Sequence, residues 1–193
     1  MKFNEIQGNL ITLAQEGMFD VIAHGCNCFC VQGAGLAPQM VKAFATDKFP
    51  KECLVDCDER FNTYFKGDIN KLGQIDFGVL HKENLGKSVS GLSYAAFNGR
   101  EYADYEDDFF FVVNAYTQYG TDVKEDGTAA VDYAALELCM RKINHVFKGK
   151  HIGLPLIGCG LAGGNWEMVK KIIKTELVDC DVTIVHFTDE YLK

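Results

Sequence analysis

The stretch that decides the fold is His24-Gly-Cys-Asn-Cys-Phe-Cys-Val-Gln-Gly-Ala-Gly-Leu-Ala37, read together with a second one, Ile157-Gly-Cys-Gly-Leu-Ala-Gly163. Each follows an apolar run of strand length and precedes a segment with helical periodicity. In the first, Gly33 and Gly35 let the backbone turn tightly and come close to a ligand without a Cβ in the way. The helix that follows offers free N–H groups and the positive end of its dipole, which together suit an anion. In the second, Gly158, Gly160 and Gly163 match G-x-G-x-x-G between a strand and a helix, the context in which that pattern grips a diphosphate. Only residues 164–193 follow it, room for one helix and one strand, so the half-domain of a nicotinamide dehydrogenase does not fit. Two such loops in one small chain point to a diphosphate-containing nucleotide held between them.

Outward from these loops, strand-like runs lie at residues 20–25, 77–81, 109–115, 151–157 and 182–187. Most are continuously apolar, the look of strands covered on both faces. In residues 128–148, Tyr133, Leu136, Met140, Ile143 and Phe147 recur every three or four positions, predicting an amphipathic helix that stops at Gly149. Helices are also expected over residues 36–49, closed by Pro50, and over residues 166–177. Strands alternating with helices predict an α/β fold with a mostly parallel sheet, and such sheets bind ligands beyond the carboxyl ends of their strands.

Composition narrows the functional classes. With 193 residues, 48% hydrophobic and 24% charged, the chain suits a single domain over residues 1–193 with a packed core. The net charge of −8, without any Lys/Arg block, argues against nonspecific nucleic-acid binding. An anionic ligand must then be held by local backbone amides. No run approaches the length of a membrane span and the N-terminus lacks a signal-peptide core, so a cytoplasmic protein with reduced cysteines is expected. Cys26, Cys28 and Cys30 alternate, and Cys53 and Cys57 lie a helical turn apart, but the spacing of a zinc site is missing; no metal and no cofactor are expected. Neither a P-loop nor the Cys-to-Arg spacing of thiol phosphatases occurs. His24 is the acid/base candidate, with a satisfied core histidine as the alternative; Trp166 reads as a packing anchor. Asp122 and Asp126 are as readily solvated surface residues as catalytic carboxylates.

The order Gln7-Gly-Asn-Leu10, His24-Gly-Cys-Asn27, Gln32-Gly-Ala-Gly-Leu-Ala37 and Pro155-Leu-Ile-Gly-Cys-Gly-Leu161 resembles a macro domain, the ADP-ribose-binding three-layer α/β/α fold. Asn114-Ala-Tyr-Thr-Gln118 is similar to the branch that includes ADP-ribose-1″-phosphate phosphatases. The resemblance implies that Gly8, Asn9, Leu10, Gly25, Cys26 and Asn27 contact the ligand. It further implies one phosphate loop formed by Gln32, Gly33, Ala34, Gly35, Leu36 and Ala37. The other would comprise Ile157, Gly158, Cys159, Gly160, Leu161, Ala162 and Gly163, with Phe187 near the adenine. Asn9 stands where the family usually has an Asp that binds the adenine amino group; it keeps an acceptor oxygen and loses the charge. Asn27 matches the residue at the distal ribose. Gly67-Asp-Ile-Asn70 mimics the first motif but falls too late and reads as a surface turn.

The expected activity is metal-independent hydrolysis of ADP-ribose 1″-phosphate to ADP-ribose and phosphate, with His24 and Asn27 catalytic and the protein a monomer. Alternatives are a hydrolase that removes ADP-ribose from macromolecules and a noncatalytic ADP-ribose-binding module. Ala162 stands where some glutamate-directed macro domains carry a catalytic Asp, which disfavours the first alternative by that mechanism.

Overall fold

The computed structural model describes residues 2–49, 66–87, 93–96, 108–121 and 129–187. Its strands are β1 (Phe3–Gly8), β2 (Val21–Asn27), β3 (Ile75–His81), β4 (Ser93–Ala96), β5 (Phe109–Gln118), β6 (His151–Leu154) and β7 (Asp181–Phe187). They form one seven-stranded sheet in the order β1-β7-β6-β2-β5-β3-β4. The first five in that order run parallel, whereas β3 runs antiparallel to both β5 and β4. Among the described residues four helices cover it: α1 (Leu10–Gln15), α2 (Ala37–Phe44), α3 (Tyr133–Val146) and α4 (Trp166–Glu176).

Central strands explain the apolar runs. On β2, Val21 and Ala23 pack into one core with Leu136 and Met140 of α3 and Val169 and Ile173 of α4. Ile22, between them, points the other way, into a second core with Leu10 of α1 and Met40 and Phe44 of α2. Successive strand residues face opposite sides of the sheet, so a strand with helices on both faces must be apolar at every position. The result is three layers, α/β/α. Each fully buried aliphatic or aromatic side chain in these cores contributes about 1.5–3 kcal/mol.

Helix ends follow local chemistry. Asp132 caps α3 by accepting from the Ala135 N–H at 2.9 Å, and Asn165 caps α4 through the Met168 N–H at 3.2 Å. The helix expected over residues 36–49 is shorter: α2 ends at Phe44, because Ala45 is left-handed (φ +53°), and the chain continues as a single 3₁₀ turn, Thr46–Lys48. The break has a use. It turns the buried Thr46 so that its hydroxyl donates to Gln32 Oε1 at 2.6 Å and its carbonyl accepts from Asn114 Nδ2 at 3.0 Å. The segment 67–70 is a turn in which Asp68 accepts from the Asn70 N–H, running into the 3₁₀ turn Ile69–Lys71. Trp166 packs against the core on the α3/α4 face, as an anchor should. Cys53, Cys57, Asp122 and Asp126 lie outside the described residues, as does Pro50.

Candidate functional site

β6 and β2 are parallel neighbours, so the loops that leave their carboxyl ends stand side by side. Between them lies a cleft of about 570 Å³. One wall is Gly33 to Ala37, the other Pro155 to Ala162 apart from Cys159, with His24, Gly25 and Asn27 at the base. Gly35 has φ +65°, a conformation costly to a residue with a side chain, and a Cβ there would lie 3.5 Å from Leu161 Cδ1 across the cleft. Gly158, at φ +72°, has no room for one: its Cβ would come 2.8 Å from Val131 Cγ2.

Backbone amides are the cleft's main chemistry. None of the N–H groups of Gln32, Gly33, Ala34, Gly35, Leu36 and Ala37 donates to an acceptor among the described residues. Across the cleft the N–H groups of Gly158, Gly160, Leu161 and Ala162 are likewise unused. All of these residues except Ala162 are exposed or half-exposed, so the amides are open to solvent and to a ligand. The α2 terminus adds to it. α1, α3 and α4 are each capped by an Asn or Asp side chain, whereas α2, whose first turn edges the cleft, has no side-chain cap. Donors converging from two loops and one helix start make a site for an anion with several oxygens.

At the base, His24 is 2% exposed, and its Nε2 lies 2.7 Å from Asn114 Oδ1. Asn114 spends its own Nδ2 on the Thr46 carbonyl, so its oxygen faces the imidazole and Nε2 is the donor. Nδ1 then carries the lone pair; Cys26 Sγ lies 3.6 Å from Nε2 and 4.0 Å from Nδ1. Burial depresses the His24 pKa to about 4, with the Asn114 bond opposing, so the ring is neutral near pH 7. Asn27 clasps its own loop: Nδ2 donates to the Val31 carbonyl at 2.7 Å and Oδ1 accepts the Val31 N–H at 3.1 Å. An amide has a second proton and a second lone pair, and these remain for a ligand hydroxyl. Behind this base, Asp76 accepts from the Tyr116 hydroxyl at 2.6 Å, and desolvation lifts its carboxyl to about 6.

A second cleft, of about 420 Å³, shares Gly35, Leu36, Pro155, Leu156 and Gly160 with the first. Gly8, Leu10, Cys159 and the half-exposed Phe187 line it. Thus most of the residues singled out from sequence converge on two adjoining clefts. Four do not line either. Asn9 caps α1, Cys26 faces His24, Gln32 is turned to Thr46, and Gly163 closes a turn onto the Gly160 carbonyl. Val31, Gln118, Thr121, Pro155 and Leu156 line the clefts without having been singled out as ligand contacts. Gln118 was legible in principle, since it ends the strand that pairs with β2. Among the described residues no three His, Cys, Asp or Glu side chains are placed to hold a metal.

No family model matches the chain. A search of curated proteins finds the uncharacterized 17.5 kDa protein in tk-vs intergenic region of Enterobacteria phage T4, 30% identical over 188 residues and covering 93% of each chain. The chain belongs to the family of this phage protein. Its fold is that of a macro domain. A protein of unknown function from Bacteroides thetaiotaomicron matches with a TM-score of 0.60 at 23% identity, over 96% of this chain and 98% of that one. The macrodomain of Thermus aquaticus DarG matches with a TM-score of 0.53 at 16% identity, over 96% and 97% of the two chains. Thermosipho africanus DarTG, solved in complex with ADP-ribose, matches with a TM-score of 0.57 at 15% identity, over 96% of this chain and 42% of that one. In this macro domain the amide-lined cleft lies beyond the carboxyl ends of the parallel strands, where open α/β sheets bind their ligands.

Proposed function

We propose that the macro domain binds ADP-ribose with its diphosphate between the two glycine loops, and hydrolyses ADP-ribose 1″-phosphate to ADP-ribose and phosphate. The observation that carries the reading is the set of unused amides at Gly33–Ala37 and at Gly158, Gly160, Leu161 and Ala162, on the two walls of one cleft. A diphosphate offers each loop its own phosphoryl group, and charge-assisted bonds to backbone N–H groups are about twice as strong as neutral ones. The chain's overall charge of −8 gives an anion no long-range help, so binding rests on these amides. The complex of Thermosipho africanus DarTG with ADP-ribose, in a related fold, is consistent with such a ligand.

In this reading the terminal phosphate lies at the base, beside Asn27 and His24. Water adds to phosphorus, the bond from phosphorus to the ribose oxygen breaks, and the water's proton passes to the departing oxygen or the released phosphate. Amides placed to bond the crowded transition-state oxygens supply most of the acceleration. His24 is neutral near pH 7, so its part is to orient or accept from the water through Nδ1 rather than to protonate the leaving group. A noncatalytic ADP-ribose-binding module is the second reading. It is favoured by the fact that His24 and Asn27 already have partners within the protein.

Phosphate release from ADP-ribose 1″-phosphate, measured with and without EDTA and beside release of ADP-ribose from a modified protein, separates the readings. Metal-independent phosphate release is expected. Binding of ADP-ribose without any phosphate release overturns the phosphatase reading in favour of the binding module. Release of ADP-ribose from protein alone favours a de-ADP-ribosylating hydrolase.

A further inference from the structure

We infer that Thr117 is a further binding residue of the first cleft. Its hydroxyl donates to the diphosphate oxygen that the Gly158 N–H holds, so Thr117 raises affinity while lowering stability. The inference rests on the placement of the diphosphate proposed above. Thr117 is fully buried near the end of β5, and its backbone is fixed, the carbonyl accepting from the Asp132 N–H at 2.8 Å. Val113 and Ala115, the alternate residues before it on the strand, pack into the core beneath α3 and α4. Thr117 continues that face but brings a hydroxyl to it.

The state of that hydroxyl is what decides. Oγ1 has no hydrogen-bond partner among the described residues, and it is sealed from solvent, so water does not supply the bond. Buried polar side-chain atoms are mostly bonded, and one left without a partner destabilises the fold. Valine has the same shape and would fill the same space without that penalty. The hydroxyl lies at the floor of the diphosphate cleft. A Cβ built on Gly25, a residue of that floor, would come 3.0 Å from Oγ1, 3.4 Å from Ile157 Cγ1 and 3.9 Å from the Gly158 nitrogen. Glycine at position 25 therefore keeps any side chain out of the space that Oγ1 and the second loop share.

A phosphoryl oxygen suits this hydroxyl. The Gly158 N–H, unused among the described residues, has one hydrogen to give, whereas an oxygen that accepts it keeps further lone pairs. A hydroxyl rotates to suit its acceptor, and its bond to a charged oxygen is stronger than a neutral one. The floor between them is glycine backbone, so a small displacement of the second loop onto the ligand brings the two together. Because the bond is made in the complex alone, its whole worth appears as affinity.

The test is calorimetric titration of the full chain with ADP-ribose, beside melting curves, in wild type, Thr117→Val and Thr117→Ser. Valine keeps the shape, so that variant should fold, and it should melt about 2–6 °C above wild type because the unmade bond is gone. Its Kd for ADP-ribose should rise about tenfold or more, the scale of one hydrogen bond to a charged group. Serine keeps the hydroxyl and should bind within about threefold of wild type, whatever the lost methyl does to Tm. A threonine with a structural role alone leaves affinity where it was. A Thr117→Val protein that binds within about threefold of wild type, or that melts below it, overturns the inference and leaves the diphosphate reading intact. So does a Thr117→Ser protein that loses as much affinity as the valine variant. If the wild type does not bind ADP-ribose, the diphosphate reading itself falls and this inference with it.

Discussion

Gly35 is where the proposed binding mode is most exposed to attack. Its φ of +65° lies in the left-handed region, so any other residue there strains the folded state by about 1–2 kcal/mol. For a domain of this size each kcal/mol lowers Tm by about 2–4 °C. Space is not the difficulty, because a Cβ would rest in ordinary contact, 3.5 Å from Leu161 Cδ1. Gly35→Ala and Gly35→Glu should therefore fold and melt cooperatively, both a few degrees below wild type. Their binding should part company. Glu brings a carboxylate into a cleft whose surroundings are amide donors, where it competes for those donors and repels the diphosphate. Losing one charge-assisted hydrogen bond costs about 1.5–3 kcal/mol, a factor of roughly 10–150 in Kd, and the repulsion adds to that. Ala should lose much less, since it adds no charge. Calorimetric titration of both variants with ADP-ribose, beside their melting curves, separates strain from blockade. A folded Gly35→Glu protein that binds ADP-ribose as tightly as wild type would refute the placement of the diphosphate between these loops.

Ligand at a hundred times its Kd should stabilise the fold by about 2.7 kcal/mol and raise Tm by about 5–10 °C; a flat thermal scan at millimolar ADP-ribose removes the nucleotide reading. His24→Ala should bind ADP-ribose within a few-fold of wild type but turn over ADP-ribose 1″-phosphate about 10²-fold more slowly; normal turnover makes His24 a core histidine. His24, held at about 4, contributes stability that is complete above its unfolded value of 6.5 and lost as pH falls through 4. Asp76, raised to about 6, contributes the reverse: complete below 3.8 and lost as pH rises through 6. Each effect is about 3 kcal/mol and they oppose between pH 4 and 6, so Asp76→Asn should lose stability to acid more steeply than wild type in urea titrations; parallel curves contradict the assignment. Salt should leave the ADP-ribose association rate flat or raise it, because it screens repulsion from a chain of charge −8; a tenfold fall between 50 and 200 mM would point to a basic site instead.

Burial on two faces is what made the fold legible. β2, β5 and β7 are covered by helices on either side, and their unbroken apolar runs announce it. The same physics hides β1 and α1. β1 is an edge strand, paired with β7 alone, and most of its residues stay in contact with solvent, so Phe3-Asn-Glu-Ile-Gln-Gly8 has no strong period. α1 has six residues, too few for a helical repeat to stand out. β4, four residues long on the opposite edge, escapes for the same reason. The early end of α2 was hidden too, since Ala45 is an ordinary helix former. What stops the helix there is the long-range demand of Asn114 and Gln32 for the two polar groups of Thr46.

The site divides along a different line. Glycine spacing marks where the backbone can approach a ligand, and residues of both loops so marked line one cleft. Whether the amides there are free is a tertiary fact. In the second loop the N–H groups of Ile157, Cys159 and Gly163 are consumed by local turns, while Gly158, Gly160, Leu161 and Ala162 keep theirs. Side chains obey the same rule with larger consequences. Read as a residue, Asn9 brings an acceptor oxygen; read in place, that oxygen belongs to Ile11 and Thr12. Read as a residue, His24 is a proton carrier near neutral pH; in place it is a neutral ring whose one N–H is held by Asn114. Residue type sets which hydrogen bonds a group can make, and the neighbours decide which of them remain for a ligand. The hydrogen bonds that Asn27 and His24 can offer in this cleft therefore follow from their leftover valences rather than from their identities.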